Sequence, residues 1–422
     1  MKSKSVIWIF AVVFLTALSA WAGAQTQYNV TTLSTLGGTS GAANSINNRG
    51  WASGVANFSG DGVGHAALWI NSGNALDLGA LGGPTTNSAV AWPVKNDRGI
   101  IVGISDTAEG NPLGEAFSCW AFFAPGSPNG KICKGFRWQN DTMTALQPFP
   151  GGYNSYATAA NNRGQIVGWA ENGVHDPSCD PAFQQLQFRA VIWQPDGTMQ
   201  ELPPLPGDST SAATAINDRG QVVGISGACG IAIGSVSAAH AVLWEDGVAI
   251  DLGSFGGHAW NTPSAINNHG TVVGFSLPAS KEGTRNFQAF IWTKTSGMQA
   301  LPVPATDIRS EALGINDKDQ IVGLSRSPSG IRAVLWQNNT FTDLNDVAQT
   351  GSPYLLFAND INDAGEISGE AFDPASGDTP AYVASPLLGS SSSARSGSAN
   401  VPSAVLYKAE RRASAFGTDP RQ

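Results

Sequence analysis

Charge is scarce in this chain: Asp, Glu, Lys and Arg make up 13% of its 422 residues, with five His and four Cys besides. Helical bundles and coiled coils need regular charged faces, and too few such residues are present to build them. After the first 24 residues no apolar run is long enough to span a bilayer, which excludes membrane insertion by a helix. No Gly-x-Ser-x-Gly, no His-Glu-x-x-His and no phosphate loop occurs, and no two carboxylates stand at a diagnostic spacing. These gaps remove the readily recognised hydrolase, metalloprotease and nucleotide-binding classes. A glycosidase pair assembled from distant segments would leave no such spacing and stays open.

The start of the chain has the composition of a secretory leader: Lys2 and Lys4, an apolar run over 6–18, and the small-residue site Ala22-Gly23-Ala24. A mature protein beginning near Gln25 is expected, secreted to an extracellular or periplasmic location. Without the leader, 21 basic residues face 32 acidic ones, a charge of −11; the segment up to Pro386 carries 16 against 30, or −14. So acidic a body repels phosphate backbones, and no nucleic-acid partner is expected.

Glycine is plentiful, with 50 residues, and marks many short strands and turns. One turn recurs seven times: "INNRG" ending at Gly50, "KNDRG" at Gly99, "ANNRG" at Gly164, "INDRG" at Gly220, "INNHG" at Gly270, "INDKD" at Asp319 and "INDAG" at Gly365. The first Asn of successive copies (Asn47, Asn96, Asn161, Asn217, Asn267, Asn316, Asn362) is separated by 49, 65, 56, 50, 49 and 46 residues. A period of that size signals a repeat architecture. Within each copy a strand of small residues precedes the turn and a β-branched strand follows it. A third strand carries Trp69, Trp138, Trp193, Trp244, Trp292, Trp336 or, in the seventh copy, Tyr382. An "LGG"-type segment closes the unit, as at 78–83, 202–207 and 252–257.

The order of these pieces predicts the architecture. The mature chain opens on an "LGG"-type strand, Tyr28 to Gly38, and ends after Tyr382 without one. The missing partner of the last unit is therefore at the other end. All-β, with seven four-stranded blades and the N-terminal strand completing the last, describes a β-propeller over 25–386, closed on itself and expected to be a monomer. The Asn turn then joins the first and second strands of every blade, with Asn bonding its own backbone and Gly accepting a left-handed conformation. Asp319 in place of Gly predicts strain or another turn type in the sixth copy. Residues 387–422, rich in Ser and Gly, read as a flexible tail; its stretch 401–416 would at most form a brief helix against a partner.

"HAALW" (65–69), "HAVLW" (240–244) and "QAFIW" (288–292), with "INNRG" and "GQVVG", resemble the bacterial extracellular HAF repeats, over roughly residues 30–385. The resemblance implies secretion and a propeller and brings no reaction or catalytic residues with it. Copies reading "KGFRW", "RAVIW" and "PAYVA" lack the His, which argues against an essential role for it.

Candidate contacts follow from the linkers that lead into each first strand, which meet around one mouth of such a ring. They supply Asn87, Trp92, Tyr153, Asn154, Tyr156, Asp208, His258, Trp260, Asn261, Asp307, Arg309, Glu311 and Tyr354. Aromatic faces mixed with amides suit a sugar or peptide, because the rings stack while polar groups fix orientation. An enzyme reading pairs His258 or Glu311 with Asp208 or Asp307 as acid and base; against it stands the reading of all these as ordinary polar loop residues. The loops from the Gly of the second strand to the third-strand aromatic span 15, 35, 25, 20, 18, 13 and 13 residues, and the long ones in copies two to four hold all the cysteines. Cys119–Cys133 and Cys179–Cys229 are the pairings expected of an exported chain. The same insertions, with Trp120, Phe122 and Phe123, offer a second candidate surface or a cover for the mouth. His175, Asp176 and Asp180 in "HDPSCD" lack the further ligands a metal needs, so no metal or cofactor is assigned. The expected function is a secreted, non-catalytic scaffold for a glycan, peptide or surface partner. The alternative is a carbohydrate-active hydrolase or lyase, or a peptide-modifying enzyme, working at the axial mouth.

Overall fold

The computed structural model describes residues 26–115, 130–232 and 234–387. The leader, the chain beyond Leu387, and the segment with Cys119, Trp120, Phe122 and Phe123 lie outside the described residues. The architecture is a seven-bladed β-propeller of four-stranded antiparallel sheets. Helix is limited, among the described residues, to the single turn Leu344–Val347 and the 3-10 turn Ala279–Lys281. No described helix is long and apolar enough to cross a membrane.

Blade 4 shows the plan: Thr210–Ile216 innermost, then Val222–Gly227, His240–Glu245 and the outer Val248–Asp251. The innermost strand is buried along its whole length, which is why Ala212, Ala213 and Ala215 are small. In the next strand a Cβ at Gly224 would lie 2.0 Å from the Ala212 carbonyl oxygen, so only glycine fits the bulge that opens between Ala213 and Ala215.

Closure is by strand exchange. Blade 7 consists of Tyr354–Ile361, Ile367–Phe372, Ala381–Leu387 and, outermost, Gln27–Thr32 from the opposite end of the chain. The two termini pair antiparallel from Gln27 with Leu387 to Thr32 with Tyr382, so Leu387 belongs to the blade. The N-terminal strand stops at Thr32, short of the expected Gly38, and the "LGG" segments are crossings between blades. At Gly79 and Gly253 the backbone has φ of 79°, a left-handed conformation that ends a strand. In most segments the leucine still anchors the crossing: Leu33, Leu78, Leu202, Leu252, Leu301 and Leu344 are buried, while Leu146 is half-buried.

The recurring tryptophan joins neighbours as well as filling space. The indole N–H of Trp69 donates to Ser34 O, that of Trp193 to Gln147 O, that of Trp244 to Pro203 O and that of Trp336 to Pro302 O, at 2.7–3.0 Å. Each acceptor follows the outer strand of the preceding blade, so one side chain contributes apolar bulk and a polar tie between sheets. Cys179–Cys229 adds a covalent tie between blades 3 and 4.

Candidate functional site

The seven Asn turns gather at one end of the axis. In each, the first Asn accepts from two backbone N–H groups of its own turn, as Asn217 does from Arg219 and Gln221 at 3.0 Å. Its Nδ2 then reaches the next blade: Asn217 donates to Asn267 O at 3.0 Å, Asn267 to Asn316 O, Asn316 to Asn362 O, and Asn362 to Asn47 O across the seam. Asn47 and Asn161 do the same, while Asn96 turns inward to Ile100 O. The sixth turn keeps this geometry, with Asp319 at φ 56° where the other copies have glycine.

The second residue of the turn makes a complete circuit. Asn48, Asp97, Asn162, Asp218, Asn268, Asp317 and Asp363 each offer Oδ1 to the backbone N–H of the preceding blade's equivalent residue, at 2.8–3.1 Å. Asn and Asp share the required oxygen. Where an Asn neighbours an Asp, its amide also donates to the free carboxylate oxygen, as from Asn162 to Asp218 at 2.9 Å and from Asn268 to Asp317 at 2.9 Å. A repeated turn signal is thus also the repeated blade-to-blade joint.

These residues rim an axial cavity of about 80 Å³, with Lys95 inside it. At roughly 15 Å³ per water that is room for a handful of waters, far below the ~300 Å³ or more of a pocket for a drug-sized ligand. Lys95, from blade 2, crosses the axis: its ammonium donates to Ile361 O at 3.0 Å and to Ile315 O, and pairs with Asp360 Oδ1 at 3.1 Å. Burial pushes the Asp360 carboxyl up and the Lys95 ammonium draws it back. Sequence reasoning passed over these residues, although "KNDRG" shows Lys where five copies have Ile and one has Ala.

At the other mouth the linkers run between blades. Asn87, Trp92, Asn154, Tyr156, Trp260, Asn261, Arg309 and Glu311 are buried; Tyr153, Asp208, Asp307 and Tyr354 are half-buried, and His258 is exposed. The three Asn act as staples between blades. Asn87 accepts from Gly64 N, Asn154 accepts from Cys133 N, and Asn261 donates to Ala239 O, each at or beside the third strand of the preceding blade. Tyr156 stacks edge-on against Trp169 at 4.2 Å. Trp260 holds a left-handed φ of 59°, rare for so bulky a residue, under the guanidinium of Arg285 at 5.6 Å.

The four residues of the acid–base reading each have a separate partner. Asp208 accepts from Ser226 Oγ at 2.6 Å, and Asp307 accepts from Ser325 Oγ and Arg332. Glu311 is fully buried against Arg309 Nε at 2.5 Å; burial raises its pKa and the guanidinium opposes that. The backbone N–H of His258 donates to Glu282. Among the described residues, none of the four bonds to another.

Third-strand His and its replacements share a task. His65 Nδ1 lies 2.7 Å from Asp77, His240 Nδ1 lies 3.7 Å from Asp251, Arg189 Nε lies 3.6 Å from Glu201 and Arg332 Nε lies 3.3 Å from Asp343. Each pair ties the third strand to an acid of the outer strand, so any cationic or hydrogen-bonding side chain serves. The loop cysteines are likewise structural: Asp176 lies near Cys179 and Cys229, but both sulfurs are in the disulfide. Exposed His175 and half-buried Asp180 stand outside that group. Buried Glu171 is a group that sequence alone did not mark. It accepts from Tyr153 N, Asn154 N, Asn154 Nδ2 and Gln184 Nε2 at 2.8–3.1 Å. Burial and then the nearby negative charge of Glu115 push its pKa up to about 7.

Fold and axial joints together define a closed seven-bladed β-propeller. No protein-family model matches the chain, and no curated protein does. Among solved structures it is similar to an oligogalacturonate lyase in complex with manganese, with a TM-score of 0.50 and 11% identity over 86% of this chain and 97% of that one. It is also similar to virginiamycin B lyase from Staphylococcus aureus (TM-score 0.46, 11% identity, 86% and 100% covered). A puromycin hydrolase gives a TM-score of 0.45 at 11% identity, covering 82% and 53%. At such identities the likeness is one of fold alone.

Proposed function

We propose that this chain is an exported, non-catalytic scaffold of the HAF-repeat kind that binds a glycan, peptide or surface partner. One observation carries the reading: among the described residues the four candidates for acid–base work do not bond to one another, with Asp208, Asp307 and Glu311 each occupied in a joint of the fold and His258 bonded through its backbone N–H. A general acid and base must reach a common reacting atom. Here Asp208, Asp307 and Glu311 are held by Ser226, Arg332 and Arg309. The axial cavity on the turn face is too small for a sugar chain, so contact falls on the opposite mouth, where Tyr153, His258 and Tyr354 keep accessible surface. Export agrees with the leader-like start and with a disulfide between loops of neighbouring blades.

Glycan-array and polysaccharide-binding screens on the mature chain, run beside turnover assays on the same ligands, test the reading. Saturable binding without turnover is expected, weakened by Tyr153→Ala or His258→Ala at unchanged Tm. Turnover that His258→Ala abolishes would refute a pure binder.

A further inference from the structure

We infer that the propeller axis contains a cation seat whose oxygens come from two blades, which the chain fills with its own Lys95 ammonium from a third. Independent of what the outer surface binds, the inference rests on three departures from the repeat that meet at one point. Immediately before the first Asn stand Ile46, Lys95, Ala160, Ile216, Ile266, Ile315 and Ile361, of which only Lys95 is charged. One position earlier stand Ser45, Val94, Ala159, Ala215, Ala265, Gly314 and Asp360, of which only Asp360 is charged and only Gly314 lacks a side chain.

The structure brings the three together. Lys95 comes from blade 2, Gly314 and Ile315 from blade 6, Asp360 and Ile361 from blade 7. Asp360 has no exposed side-chain surface, against 26% for Lys95. Its Oδ2 accepts Ile46 N from blade 1 at 3.0 Å and its Oδ1 accepts Ile361 N at 2.9 Å, which fixes the carboxylate beside the axis. A Cβ on Gly314 would fall 2.8 Å from Asp360 Cα and 2.9 Å from Oδ1, so the neighbouring blade is cut back to admit it. The ammonium has three N–H donors and meets three oxygens, Ile315 O, Ile361 O and Asp360 Oδ1. Two carbonyls and a carboxylate are a set of hard oxygen ligands for a small cation, and the seat should accept a free primary ammonium once the tether is cut.

The test is chemical rescue. Lys95→Ala leaves Asp360 buried without its partner, and Tm should fall by about 5–10 °C. Propylammonium chloride, which restores the missing atoms, should raise the Tm of the variant saturably. It should leave wild type unmoved, and sodium chloride at equal ionic strength or n-propanol should have no such effect. Failure of propylammonium to raise the variant's Tm more than sodium chloride would overturn the inference. Should Lys95→Ala fail to fold, Lys95→Met and Asp360→Asn are compared singly and together. Recovery of folding or Tm in the double variant relative to both single variants supports the seat, and losses that merely add refute it.

Discussion

Replacing Asn217 by Asp probes the axial joint with almost no change of shape. The variant keeps the oxygen that accepts from Arg219 N and Gln221 N and loses the NH2 that donates to Asn267 O at 3.0 Å and Gln221 Oε1 at 2.8 Å. Asn217 is 4% exposed, so water does not replace those bonds. Two lost hydrogen bonds cost about 1 kcal/mol each, and a carboxylate oxygen facing a carbonyl adds to that, giving a loss of about 2–4 kcal/mol. With a urea dependence of roughly 2–3 kcal/mol per molar for a chain of this size, the midpoint falls by about 1 M. Asn217→Ala separates charge from bonding: it carries no carboxylate, and its midpoint should fall by a similar amount because two turn N–H groups lose their acceptor. Equilibrium urea unfolding followed by Trp fluorescence measures both. A wild-type midpoint for either variant would show that the Asn turn is an ordinary surface turn with no part in joining blades.

Two further predictions concern the elaborated side. Glu171 has a folded pKa of about 7 against an ordinary 4.5, so the folded state favours its protonated form. The stability it contributes is complete below about pH 4.5 and is lost as pH rises through 7, a difference of about 3 kcal/mol. Glu171→Gln should flatten the pH dependence of Tm across that window, and an unchanged slope would argue that the carboxylate is ionised throughout. Cys179 and Cys229 are 50 residues apart. Closing such a loop restricts the unfolded chain by up to about 4 kcal/mol, so the paired Ser variants should melt several degrees lower, and an unchanged Tm would refute the tie.

Blade number, strand order and the clasp were legible because a repeat states the same constraint seven times and its phase shows which strand is missing. The site was less legible, since sequence shows residue types and not what they face. Asn154 and Asn261 read as loop amides open to a ligand; nothing local to "GGYNS" or "GGHAWNT" shows that these linkers run between blades, where amides staple strands. Lys95 went unmarked in "KNDRG", because its partners lie 220 and 266 residues away and only the closed ring makes them neighbours. For the third-strand His, which other copies replace, the structure shows a shared role: an outer-strand acid that His or Arg meets.

Closure of the ring by its own first strand is what places the seven turns around one axis. Asn29 and Ser385 are directly opposed across the clasp. In the Asn29→Cys, Ser385→Cys variant, mild oxidation followed by proteolysis and mass spectrometry should recover a 29–385 cross-link within a single chain in high yield. A chain in which those two thiols remain unpaired, or pair only between molecules, contradicts the account.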